Sequence, residues 1–214
     1  DVNREPYEFD PQLFDGPLPD WVNTHSVRVN GGLGTIARIV AEGEPIYARR
    51  LPVSVGRSRV ENFYKPYHAA LRMLLAQTHV RFGYAVLLDF HSMPSNFGAR
   101  GGGPRADFVI GDRYNTSCAP ELTRLLRSQL ENLGYQVEIN QPYAGGFITE
   151  HYGRPAHGLH AVQIEINRGL YMNEQKYCKT LKFDLLRQDM VELLKALAEN
   201  TGSWLAGSYP LAAE

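Results

Sequence analysis

From Tyr84 onward the chain switches repeatedly between two hydrophobic periods, and this alternation constrains its fold more than any other feature. Residues 84–90, 107–110, 135–139 and 161–167 are short apolar or alternating runs with the period of strands. Leu122, Leu125, Leu126, Leu130 and Leu133 recur at helical spacing, as do Leu186, Met190, Leu193, Leu194 and Leu197. Upstream, Tyr67, Ala70, Leu71, Leu74 and Leu75 form a further helical stripe. Pro66 and Pro120 suit first helical turns, and Gly83 and Gly134 suit helix ends. Helices are expected from about Val60 to Phe82, over 119–133 and over 179–199. Strands interleaved with helices predict an α/β fold, with a central, mostly mixed sheet flanked by helices.

With 214 residues, 1–214 is expected to be a single α/β hydrolase-type domain. The first 35 residues are rich in Pro, Gly, Asp and Asn and read as loop, followed by short extended pieces at 36–40 and 45–47. A net charge of -1 argues against a nucleic-acid groove or a membrane patch. No apolar run approaches the roughly 20 residues needed to span a bilayer. Two cysteines, Cys118 and Cys178, make no disulfide framework, so a reducing, cytoplasmic compartment is expected. The chain starts at Asp1 rather than at a methionine and shows no signal peptide, so a fragment or processed product lacking an N-terminal segment is expected.

The run 84–88 ends in Asp89-Phe90-His91, which reads as a buried strand carrying a carboxylate and an imidazole to its tip. Neutral imidazole is a common zinc ligand, and an adjacent aspartate can fix its tautomer. The same spacing also suits an ordinary hydrogen-bonded pair. On 161–167, Val162, Ile164 and Ile166 face one side, and Gln163, Glu165 and Asn167 face the other. Glu165 is a candidate general base, or a carboxylate paired with Arg168. Asp89/His91, Gly111/Asp112, Asn140 and Glu165/Asn167 all fall near strand ends, where α/β sheets bind ligands.

The remaining signals are weaker. Residues 142–160, with four glycines and His151, His157 and His160, read as a functional loop; its histidines lack a partner glutamate on a clear helix. His68 shares a helix stripe with Leu71 and Leu75 and reads as a packing or capping residue. Arg57, Arg59, Arg100, Arg105, Arg113 and Arg168 offer guanidiniums for an acidic substrate, Arg59 being the best placed, beside Asn62 and Tyr64. The glycines at 31–34 and 101–103 lack the framing of a dinucleotide or phosphate loop. Those at 101–103 read as a flexible connection or a lid.

Several segments together resemble the N-formylglutamate amidohydrolase family. They are Gly34-Thr35-Ile36-Ala37-Arg38, Arg59 with Tyr64-Lys65-Pro66-Tyr67-His68, and Asp89-Phe90-His91-Ser92-Met93-Pro94. To these add Asp107-Phe108-Val109-Ile110-Gly111-Asp112-Arg113, Asn140-Gln141-Pro142-Tyr143-Ala144-Gly145-Gly146 and Gln163-Ile164-Glu165-Ile166-Asn167-Arg168-Gly169-Leu170-Tyr171-Met172. Asp1-Val2-Asn3-Arg4 also resembles an interior segment of that family.

The resemblance implies a zinc-dependent enzyme with a phosphorylase/hydrolase-like, carboxypeptidase-like fold. It would release formate from N-formylglutamate in histidine degradation. His91 would match a zinc ligand, with Asp89 behind it, and Glu165 the catalytic acid/base. Arg4, Arg59, Asn140, Tyr143 and Arg168 become candidate substrate contacts. The family's other zinc ligands are expected upstream of Asp1, in a His-Ser-Gly segment followed by an acidic residue. The alternatives are an inactive relative or binding module for an acidic amino acid, and a carboxypeptidase-like peptidase.

Overall fold

Two buried rings, Phe9 and Phe14, with centroids 4.8 Å apart, organise the first of two compact units, Asp1–Leu74. The computed structural model describes residues 1–40, 43–95 and 106–205. Strand β1 (Phe14–Asp15) pairs in parallel with β2 (Leu51–Pro52). Between them, α1 (Val27–Asn30) is capped by the Ser26 hydroxyl, which accepts from the Val29 N–H. Helix α2 (Val53–Arg59) presses Gly56 against the two rings, and a Cβ there would come within 2.8 Å of Phe14.

A π-helical turn, Val60–Tyr64, joins α2 to α3 (Lys65–Phe82) without a break. The expected helix is therefore present but starts earlier, at Val53. It ends where predicted, at Gly83, whose φ is 77° and whose N–H donates to the His79 carbonyl. Its apolar stripe behaves differently from expectation. Tyr67, Ala70 and Leu74 stay exposed, and the inward face carries Tyr64 and His68. Their rings lie 4.2 Å apart, and His68 Nε2 sits 3.0 Å from the Val2 carbonyl, so His68 packs and caps. The extended pieces at 36–40 and 45–47 reduce to a single bridge, Ile39 to Pro45.

The second unit, Leu75–Glu214, contains the predicted alternation. Its elements are β3 (Ala85–Met93), β4 (Phe108–Gly111), α4 (Pro120–Asn132), β5 (Val137–Ile139), α5 (Phe147–Tyr152), β6 (Leu159–Asn167), the short β7 (Met172–Asn173) and β8 (Cys178–Lys179), and α6 (Phe183–Leu205). The main sheet has the order β3-β6-β4-β5. Strand β6 runs parallel to β3 and antiparallel to β4, and β4 runs parallel to β5, so the sheet is mixed, as expected. One face meets α4 and α6 in a core of Phe108, Ile110, Val162, Ile164, Leu122, Leu126, Leu130 and Leu193. No described helix is long and apolar enough to cross a membrane.

Several expectations change. The run at 84–90 reads as a buried strand, but β3 lies at one end of the sheet order, with Leu87 and Leu88 half-buried and Phe90 42 % exposed. The stretch 142–160 is not all loop, because α5 forms within it. The last helix starts at Phe183 rather than 179, since Cys178 and Lys179 pair with β7. Most of the expected glycine-rich connection, 96–105, with Arg100, Arg105 and Gly101–Gly103, lies outside the described residues.

Candidate active site

The polar face of the sheet is concentrated where β6 meets β3. In the parallel register Asp89 lies beside Gln163 and His91 beside Glu165, so four polar side chains occupy neighbouring positions on one face. Alternation along β6 sends Val162 and Ile164 into the core and turns Gln163, Glu165 and Asn167 the other way, as the sequence predicts. Gln163 and Glu165 are nonetheless 5 % and 7 % exposed, so their polar atoms need protein partners.

Those partners form a short chain. The Gly146 N–H donates to Gln163 Oε1 at 2.9 Å, and Gln163 Nε2 donates to Glu165 Oε1 at 2.9 Å. His91 Nε2 sits 3.0 Å from Asp89 Oδ2. A ring donating from Nε2 carries its lone pair on Nδ1, so Asp89 selects the tautomer. Burial holds the Glu165 carboxyl above the usual carboxylate range. A positive His91 would oppose that rise, the Asp89 charge adds to it, and the Gln163 bond and Arg168 oppose it.

Tyr143 and Arg168 belong to the same electrostatic neighbourhood. Burial and the Glu165 charge raise the Tyr143 phenol, while Arg168 lowers it. The hydrogen bonds of Arg168 go to Ser92, from Nε to the hydroxyl at 3.2 Å and from Nη2 to the carbonyl at 3.4 Å. Glu165 takes its hydrogen bond from Gln163, and Arg168 acts on it through charge. Asn167 turns away to cap the next turn, its Oδ1 accepting from the Gly169 N–H.

The other candidates are placed differently. Asn140 is bound to Asp112: its Nδ2 donates to Asp112 Oδ1 at 2.7 Å, and its Oδ1 accepts from the Asp112 N–H at 3.0 Å. Arg4 and Arg59 belong to the first unit. Arg4 donates to the Leu33 and Asn3 carbonyls. Arg59 donates to the Tyr47 hydroxyl at 2.7 Å and lines a cavity of about 330 Å³ with Thr35, Tyr47, Val60 and Tyr64. Strand direction also separates the residues expected together at strand ends. Because β4 is antiparallel to β6, Gly111 lies beside Gln163, while Asn167 and Met93 share the far end.

Residues 140–146 cross the polar face close above Gly111. A Cβ at Gly111 would lie 2.6 Å from the Gly145 nitrogen and 2.7 Å from the Ala144 carbonyl carbon, so only glycine leaves room. The Arg113 N–H donates to the Ala144 carbonyl at 2.8 Å and pins the crossing from the side. The roles of Gln163 and Asp112 were not singled out from the sequence. The available signal for Gln163 is its place on the same strand face as Glu165 and Asn167.

Zinc is the cofactor the family resemblance implies. Among the described residues, no group of three His, Cys, Asp or Glu side chains is arranged to hold a metal ion. The described residues therefore do not make a complete zinc centre by themselves. His151 stacks on Phe147 in α5, His157 is exposed, and His160 is buried in β6.

Comparison with known proteins bears on the family and the fold. N-formylglutamate deformylase of Pseudomonas putida is 37 % identical over 171 residues, covering 78 % of this chain and 63 % of that protein. The Pseudomonas aeruginosa deformylase is 36 % identical over 137 residues, 63 % of this chain and 52 % of that one. This chain thus spans less than two thirds of the length of either relative. The crystal structure of N-formylglutamate amidohydrolase from Ralstonia eutropha superposes with a TM-score of 0.87 at 37 % identity, over 93 % of this chain and 72 % of that one. A crystal structure from Agrobacterium tumefaciens, 18 % identical with a TM-score of 0.54 over 76 % of this chain and 61 % of that one, shares the fold. The sequence pattern of N-formylglutamate amidohydrolase matches residues 1–172, and the chain belongs to that family.

Proposed function

We propose that this protein is a zinc-dependent amidohydrolase that cleaves N-formylglutamate to glutamate and formate. The observation that carries the reading is Glu165: a buried carboxyl with a raised pKa, fixed by Gln163 and set beside His91 across the β3–β6 pair. A carboxyl whose pKa is raised above the usual carboxylate range holds a taken-up proton more readily and can return it. Glu165 accepts a proton from the attacking water as its oxygen bonds to the formyl carbon. The same proton then passes to the amide nitrogen as the C–N bond breaks, so formate and the amino acid leave together.

Tyr143 and Arg168, within electrostatic range of Glu165, are the substrate-binding candidates the site supports. Arg168 supplies the positive charge that an acidic substrate requires. Candidate contacts at Arg4, Arg59 and Asn140 rest on the sequence resemblance alone. His91 is the zinc ligand this chain would contribute, and Asp89 fixes its tautomer. Bound zinc would polarise the formyl carbonyl and acidify the attacking water. The mixed sheet, with its polar face at the β6 junction, supports a carboxypeptidase-like fold.

The test is formate release from N-formylglutamate. Glu165→Gln is expected to lower kcat by about 10²- to 10⁴-fold, the range for losing one acid–base group. Equal rates for Glu165→Gln and the parent would remove Glu165 from the mechanism. A chelator is expected to suppress formate release, and His91→Ala to lose zinc measured by elemental analysis. Zinc content unaffected by His91→Ala would exclude His91 as a ligand.

A further inference from the structure

We propose that Gln163 is a positioning residue that ties the Glu165 carboxylate to the fixed backbone of residues 140–146, so that Glu165 meets its substrate in one orientation. The inference rests on the amidohydrolase reading and extends it to a residue outside the acid–base and metal-ligating set.

Both ends of the Gln163 amide are engaged. A backbone N–H can only donate, so Gly146 fixes Oε1 as the end that faces it. The NH₂ group must then face Glu165, where it donates to Oε1. That bond commits one carboxylate oxygen and leaves proton transfer to Oε2. A leucine or valine would fill this central strand position without the burden of a buried amide. The amide is well used here because it links two things: a strand carboxyl and a backbone crossing.

The crossing is itself immobilised. Asn140 at its start is clamped to Asp112 by two hydrogen bonds. Ala144 is held by the Arg113 N–H, and Gly111 admits the chain by lacking a Cβ. The Gly146 N–H is therefore an anchor, and Gln163 transmits its position to Glu165. Alignment of reacting groups is worth large factors in rate, and a displacement of about 1 Å can lower turnover by about 10²-fold.

Two variants separate positioning from packing. Gln163→Glu keeps the acceptor for Gly146 but replaces the donor to Glu165 with a second carboxylate. Gln163→Met keeps the volume and loses both bonds. Formate release from N-formylglutamate is measured for each on the full chain, with thermal unfolding followed by circular dichroism to confirm the folded state. Both are expected to lower kcat by about 10²-fold while KM stays within about threefold. Combined with Glu165→Gln, either is expected to add no further loss, because there is no carboxylate left to position.

A kcat equal to the parent's in either folded variant would overturn the proposal. So would a rise in KM at constant kcat, which would make Gln163 a substrate contact. Additive losses with Glu165→Gln would assign Gln163 a role independent of Glu165. If Glu165→Gln itself keeps full activity, the amidohydrolase mechanism fails first, and the positioning role falls with it.

Discussion

Asp112 has a fully buried carboxylate whose hydrogen bonds come from neutral donors: the Thr123 hydroxyl at 2.8 Å, the Asn140 amide at 2.7 Å and the Asn115 N–H at 3.0 Å. Its backbone carbonyl also accepts from the N–H groups of Thr116 and Ser117. One residue thus holds together the end of β4, the start of the 140–146 crossing and the turn through Arg113, Tyr114 and Asn115, all at positive φ. Removing a donor from a buried charge costs about 1–3 kcal/mol. Thr123→Val is therefore expected to destabilise the fold by that amount in urea unfolding, whereas Thr123→Ser, which keeps the hydroxyl, should cost less. A smaller loss for valine than for serine would contradict the donor role. The same hydroxyl lies 3.4 Å from the Cys118 sulfur, and burial pushes that thiol up to about 11. Thiolate is the reactive form, so in the native protein the exposed Cys178 should react with a thiol reagent and Cys118 should not. Two equally fast cysteines would show that Cys118 is not sealed.

At the level of elements, the crossing of residues 140–146 over β4 is the feature most sensitive to a single added carbon. Gly111→Ala places a Cβ against backbone rather than a flexible side chain, so the crossing must move. The expected result is a protein destabilised by about 1–3 kcal/mol with formate release reduced beyond what the folded fraction explains. Unaltered activity per folded molecule would show that the position of the crossing does not matter to Glu165. This junction also marks the limit of what local sequence conveys. The leucine stripe of α4, the glycine after it and the alternation of β6 are local patterns, and the structure reproduces them within a residue or two. Strand direction is set by distant packing, so nothing near Gly111 announces that β4 runs against β6. Helix α5, six residues long, is too short for its period to stand out among glycines and histidines. On α3 the apolar stripe is readable, but the inward face is the one whose His68 meets the Val2 carbonyl, far from that stripe in sequence. In the site, His91, Asp89 and Glu165 follow from strand alternation, whereas the bond from Gly146 to Gln163 requires the tertiary crossing.

On the scale of the whole molecule, the second unit has a continuous core on one face of its sheet and a buried polar layer on the other, and the core face also holds a buried titratable ring. The core carries no charge. His160 lies on the same side of β6 as Val162 and Ile164 and is 1 % exposed, its Nδ1 accepting from the Ala119 N–H at 3.1 Å, which places the proton of the neutral ring on Nε2. Burial lowers its pKa from 6.5 to about 4. Between those values the unfolded chain binds a proton that the folded protein does not. Stability from this residue is thus fully present above pH 6.5 and is lost as pH falls toward 4. One proton of difference gives a slope of at most about 1.4 kcal/mol per pH unit. His160→Asn offers an amide oxygen near the Nδ1 position and does not titrate. Urea midpoints at several pH values from 7 to 4 should therefore fall more steeply for the parent than for His160→Asn, even if the variant is less stable at pH 7. Parallel curves would mean that His160 protonates as readily in the folded protein as in the unfolded chain, and that acid enters the fold through its carboxylates instead.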